Sequence, residues 1–288
     1  MTLAQLLFAA MAIGARIGGH SVPWQEVCAS RFLVGAITAY ALARVRGQSL
    51  RITNAREAWF RSGFGTLSAA GTFFLYAVPG LAIGDAATLL ATSPIFVALM
   101  SAPLLGEPIR KSHVLALVFG FGGIALVAQP TFSTAGHLVA IGAATAVSSA
   151  VAMIWLRRIG PNESSEAIVL HFACVGSGTM LLASIPVWRT PDARDGVVLL
   201  VTGLCAGLAQ IAMTRAYALD HAARVSALAF SGVVFVRILA VPIFGEVPNA
   251  MQTIGSLSVV GSGVLLTMGG AAAAHLRRRR VGDQRPSR

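Results

Sequence analysis

The chain is a succession of apolar runs, each about as long as a bilayer is thick. Bounded by charge, Gly or Pro, they fall at about 2–18, 27–43, 59–77, 85–105, 112–128, 137–156, 167–187, 196–217, 224–244 and 250–270. A hydrocarbon core about 30 Å thick takes about 20 residues of helix, and backbone amides in lipid must find partners within the segment. The expected fold is therefore an all-α integral membrane protein of ten transmembrane helices. Charged residues make up only 11% of the 288 positions, against about 25% in a soluble domain. Disorder is excluded too, since it needs a shortage of apolar residues and this chain has an excess. The first run lacks a basic leader and an A-x-A cleavage site, so it reads as a span and not a signal peptide.

Direction follows from where the basic residues fall, because Lys and Arg near span ends are retained on the cytoplasmic side. With the amino terminus inside, the cytoplasmic segments hold Arg44, Arg46, Arg51, Arg56, Arg61, Arg110, Lys111, Arg157, Arg158, Arg224 and six arginines of the tail. The external segments hold Arg189 and Arg194, and Arg16, Arg31, Arg215 and Arg237 lie within or beside spans. Both termini are thus expected in the cytoplasm. The net charge of +11 reads as this orientation signal and as contact with anionic lipid by Arg277 to Arg280, not as nucleic-acid binding.

The two halves resemble each other. Ala10 to Gly18 aligns with Ala152 to Gly160, pairing Arg16 with Arg158. Glu26 to Phe32 aligns with Glu166 to Phe172, Tyr76-Ala77 with Tyr217-Ala218, and Pro103 to Glu107 with Pro242 to Glu246. The offset stays between 139 and 142. Five spans per half is an odd number, so the second half must cross the membrane upside down, giving an inverted 5+5 repeat around a central cavity. Residues 1–130 form the first repeat, 131–271 the second, and 272–288 a basic cytoplasmic tail. Inverted repeats suit carriers, since two halves can rock about a site at the midplane.

With these features the chain resembles the drug/metabolite transporter superfamily, in its ten-span form with two EamA-type domains. The resemblance covers about residues 3–270. It rests on Arg31-Phe32, on Gly84-Asp85-Ala86-Ala87 with Thr92 to Phe96, on Leu105-Gly106-Glu107, and in the second half on Gln210 to Tyr217 and Phe244-Gly245-Glu246. The second half departs from the pattern where Gly232-Val233 replaces Ser93-Pro94. The resemblance implies a cavity lined by spans 1–4 and 6–9, a location in a bacterial-type inner membrane, and a small solute such as an amino acid, vitamin, drug or nucleotide-like metabolite.

Ionisable groups at membrane depth are costly and mark function. Arg237 stands deep in the ninth run, on one helical face with Ser226 and Phe230, either facing the cavity or bonding backbone carbonyls or a distant acid. All eleven acids fall in loops or at span ends, so a cavity holding a guanidinium suits a carboxylate- or phosphate-bearing solute. The third span presents Ser68, Thr72 and Tyr76 on one face, and the fourth presents Thr88 and Thr92 ahead of Ser93-Pro94. Gln210 lies at mid-depth in the eighth. Trp155 reads as a stacking surface or an interface anchor, and Arg31 with His171, equivalent in the repeat, as gate or interface residues. Cys28, Cys174 and Cys205 lack metal spacing and read as buried packing residues.

Dispersed histidines and the absence of H-E-x-x-H, G-x-S-x-G and a Walker lysine argue against an enzyme, a metal site, a cofactor or ATP-driven transport. The expected activity is secondary transport by alternating access, most readily export or exchange of amino acids or similar zwitterionic or anionic solutes. A multidrug, organic-cation or vitamin carrier is the alternative, ahead of a scaffold, channel or intramembrane enzyme. The partners expected are the solute, the bilayer and a second copy meeting through the Gly-rich spans 5 and 10.

Overall fold

In the computed structural model, residues 1–262 are described except 80, 82, 107–110, 129–135, 161–162, 246–248, 252, 256, 259 and 260. Among them every regular element is helical, as amides without water require. In order these are α1 (Thr2–Gly18), α2 (Trp24–Val45), α3 (Ala55–Ala77), α4 (Ile83–Leu90), α5 (Ser93–Leu105), α6 (Lys111–Ala128), α7 (Gly136–Ile159), α8 (Ser165–Ser184), α9 (Ala193–Leu219), α10 (Ala222–Ala227) and α11 (Ser231–Phe244). Trp24–Val45, His137–Ile159, Ser165–Val187, Ala193–Leu219 and Arg224–Phe244 have the length and hydropathy to cross a membrane. Most of the run expected at 250–270, and the tail, lie outside the described residues.

The fourth and ninth runs are each two helices, not one. Between α4 and α5 the chain turns at Ala91-Thr92, where Pro94 enters the first turn of α5 and cannot continue the ladder of α4. Between α10 and α11 lies a single 3-10 turn, Leu228–Phe230. The interruption therefore recurs although the second half has no equivalent proline. Both α5 and α11 then carry a proline, Pro103 and Pro242, and end on a left-handed glycine, Gly106 at φ 67° and Gly245 at φ 71°.

The helices pack in pairs. α2 lies against α8, α1 against α9 and α3 against α7, while α1 also meets α11 and α5 meets α7. Exchanging the halves turns α2·α8 into itself, α1·α9 into α3·α7 and α1·α11 into α5·α7. Phe32 and its counterpart Phe172 meet edge to face at the α2·α8 crossing, with ring centroids 5.0 Å apart. Arg16 Nη1 donates to the Tyr76 carbonyl at 2.9 Å, and Arg157 Nη1 to the Tyr217 carbonyl at 3.0 Å. The counterpart of Arg16 is thus Arg157, one residue short of the sequence alignment.

Small residues allow the close approaches. A Cβ on Gly203 would run into Val34, and one on Gly207 would crowd the backbone of Gly35. Cys28 is buried, but Cys174 is exposed and Cys205 half-exposed; the expectation of three buried cysteines fails because α8 turns Cys174 outward, opposite the face it packs on α2.

One end of the bundle is clamped through acids. Glu166 Oε1 accepts from Arg46 Nη1 at 3.0 Å and from Arg215 Nη2 at 2.5 Å. Glu163 Oε1 accepts from the backbone N–H groups of Thr53 at 2.7 Å and Asn54 at 3.1 Å, and from the Thr53 hydroxyl. The stretch 46–54 is thereby tied to the start of α8.

Candidate functional site

Two adjoining cavities open between the halves. One, of about 220 Å³, is walled by α1, α2, α3, α7, α8 and α9; the other, of about 190 Å³, is walled by α1, α5, α7, α9 and α11 with neighbouring residues. They share Gln5, Phe8, Tyr76, Leu90, Ser149, Met153 and Met213. Drug-sized pockets run to about 300–1,000 Å³, so the space suits a small solute.

The chemistry concentrates in the first cavity. Arg31 comes from α2 and Arg61 from α3, and both are buried, at 8% and 1% exposure. Arg31 Nη2 donates to Gln210 Oε1 at 3.4 Å. Its guanidinium carbon sits 4.8 Å from the Phe32 ring centroid, 5.6 Å from Phe73 and 5.9 Å from Phe172. That of Arg61 lies 3.9 Å from the Phe172 centroid, a desolvated cation–π contact. Arg61 Nε and Nη1 and Gln210 Nε2 are buried with no hydrogen-bond partner. These are three buried donors with no acceptor among the described residues. No acid is among the described residues lining either cavity. Ser68, Thr72 and Tyr76 complete the α3 wall, the Thr72 hydroxyl donating to the Ser68 carbonyl at 2.8 Å.

The chain is similar to known transport proteins. Residues 1–129 match the EamA-like transporter family. The pseudopaline exporter CntI of Pseudomonas aeruginosa is 28% identical over 92% of this chain and 93% of its own length. The riboflavin transporter of Vibrio cholerae is 27% identical over 67% of this chain and 64% of its own, and human solute carrier family 35 member G1 is 27% identical over 68% and 58%. A solved crystal structure superposes with a TM-score of 0.80 over 92% of this chain and 94% of that one, at 20% identity, which shows a shared fold. Over these lengths the chain is similar to transporters of the drug/metabolite superfamily. It is a multi-pass membrane protein whose bacterial relatives place it in an inner membrane, and neither the family nor these relatives are enzymes.

Within this transporter the residues expected at the site divide. Ser68, Thr72, Tyr76 and Gln210 line the first cavity, and Ser93, Pro94 and Ser226 the second. Arg31, expected at a gate or interface, lines the first cavity. Arg237 is half-buried and lines neither. Its face does not continue to Ser226 and Phe230, because the 3-10 turn at Leu228–Phe230 breaks the helical register between them. Phe230 is fully buried beside Ala87, Val233 and Val234. Thr92 donates to the Leu89 carbonyl at 2.8 Å, and Thr88 has its side chain outside the described set. Trp155 stacks on Phe60 at 4.7 Å with Arg158 over its ring. His171 Nδ1 and the Ser62 hydroxyl share a hydrogen bond of 2.8 Å, one residue along from Arg61.

Arg61, which the sequence places with the cytoplasmic basic residues, is instead buried within the bundle. α3 begins at Ala55, before the apolar run, so Arg61 falls on its second turn and inside the bundle. A signal for it exists in the sequence. The stripe Gly65, Ser68, Thr72, Tyr76 extended back by four residues lands on Arg61.

Proposed function

We propose that this transporter works by alternating access and exports or exchanges small carboxylate-bearing metabolites, with amino acids and similar zwitterionic or anionic solutes as the substrate class. What carries this reading is the pair of buried guanidiniums, Arg31 and Arg61, with the unpartnered Gln210 Nε2, in a cavity whose described lining holds no acid. Guanidinium pairs with a carboxylate through two parallel hydrogen bonds. An organic cation would enter against two like charges. The relative named as an exporter supports the outward direction.

The working architecture is an inverted pair of repeats, residues 1–130 and 131–271, each of five spans, with both termini cytoplasmic. Its support is the exchange pattern of helix contacts, the paired Arg16 and Arg157 bonds and the paired breaks in the fourth and ninth runs. Span 5, on α6, turns Val118, Phe119 and Phe121 outward, a face for a second copy.

Counterflow in proteoliposomes tests the function, using neutral, aromatic, acidic and basic amino acids beside a nucleoside and an organic cation. Saturable exchange of carboxylate-bearing solutes is expected. Arg31→Ala and Arg61→Ala should each weaken apparent affinity about ten-fold or more, the scale of a charge-assisted hydrogen bond. Arg237→Ala, away from the lining, should cost less. Exchange confined to the organic cation would overturn the reading.

A further inference from the structure

Building on the proposed carboxylate site, we infer that the cavity is made for two anionic groups on one solute, a dicarboxylate, in preference to a zwitterion. Arg31 and Arg61 are separate sites, rising from different helices, and no carboxylate among the described lining residues bridges them. Both guanidinium carbons lie over the Phe172 ring, 5.9 and 3.9 Å from its centroid, so they are within about 10 Å of each other. A single carboxylate engages one guanidinium bidentately and leaves the other buried without a counter-charge, a costly arrangement in low dielectric. Two carboxylates neutralise both. Two carboxylates approaching from the cavity side, one on each guanidinium, are then held a comparable distance apart, a span that a chain of a few carbon–carbon bonds of about 1.5 Å covers, a size the 220 Å³ cavity admits.

The ammonium of a zwitterion meets the opposite situation. Its acceptors would be hydroxyls such as Ser68 and Tyr76, or Gln210 Oε1, which already accepts from Arg31. No described carboxylate offsets its burial beside two guanidiniums. The lining therefore discriminates by charge count as well as by sign.

The test compares succinate with its monoamide, succinamate, and with alanine, as competitors and counterflow substrates in proteoliposomes at neutral pH. Succinate is expected to show at least ten-fold higher apparent affinity than succinamate. Arg31→Gln and Arg61→Gln should each bring that ratio toward one, and Arg61→Lys should retain part of it. A thermal-shift measurement in detergent, with the same three solutes, confirms folding of each variant and reads binding independently. Equal affinities for succinate and succinamate, with saturable exchange of both, would overturn the two-charge site and leave the carboxylate carrier standing. Exchange of an organic cation but of no carboxylate would overturn the underlying reading as well, and so would no response from folded protein in either assay.

Discussion

Glu163 shows how much one side chain at the end of the bundle can hold. Burial pushes its carboxyl up, but hydrogen bonds from the Thr53 hydroxyl and from the backbone N–H groups of Thr53 and Asn54 outweigh it and hold the group below the usual carboxylate range. A carboxyl depressed in the folded state stabilises above its unfolded value of about 4.3 and loses that contribution as pH falls through the folded value. Tm in detergent should therefore drop on acidification below about pH 4, and Glu163→Gln should both lower Tm at neutral pH and flatten that acid limb. An unchanged acid limb in the variant would remove Glu163 from the account. At this scale the sequence is least transparent. Arg61 was legible only by extending the α3 stripe back one turn from Gly65, because a charge near the start of an apolar run looks like a cytoplasmic anchor until the true helix start is known. Arg237 looked central because its neighbours are apolar, yet apolar neighbours describe depth, not the direction in which a side chain points.

Among the elements, α8 contains its own control experiment. A Cβ on Gly176 would press into the Phe32 ring, whereas one on Gly178 would meet open space. Gly176→Ala should cost about 1–3 kcal/mol, the range for overpacking a filled interface, while Gly178→Ala should be near neutral or slightly stabilising through helix propensity. Chemical or thermal unfolding in detergent distinguishes them, and equal effects would mean that the α2·α8 crossing is looser than its geometry. The positions of the helices were readable in advance because hydrocarbon thickness fixes their length. The break before α5 leaves a mark in Pro94, although the run 85–105 reads as one span. The matching break before α11 was not announced, since a 3-10 turn at Leu228–Phe230 needs no proline and leaves no compositional mark.

For the molecule as a whole, the proposed orientation is open to direct test. His20, between α1 and α2, and Gln48, between α2 and α3, are both exposed and lie at opposite ends of α2. With native cysteines replaced by Ser, His20→Cys should react with an impermeant thiol reagent added outside cells and Gln48→Cys only after permeabilisation. The reverse result would invert the topology. The exchange pattern of the packing was foreshadowed by the nearly constant offset, but the pairing of Arg16 with Arg157 required coordinates, because the match of Arg16-Ile17-Gly18 to Arg158-Ile159-Gly160 points to the neighbouring arginine.

Both cavity arginines belong to the amino-terminal half, and an offset of 140 carries them to His171 and Val201. The charge of the site is therefore fixed to one side of the proposed rocking motion. With the proposed dianion bound, the site presents no net charge as the halves rock about it; empty, it exposes two positive charges to the field first from one side and then from the other. Membrane voltage is worth about 2.3 kcal/mol per 100 mV to a charge that crosses the whole field, so in a cell that is negative inside some fraction of this favours the inward-facing form of the vacant site and leaves the loaded one unbiased. A carrier with the proposed two-charge site would thus be biased by the membrane potential itself to reset toward the inner side and wait there for cargo.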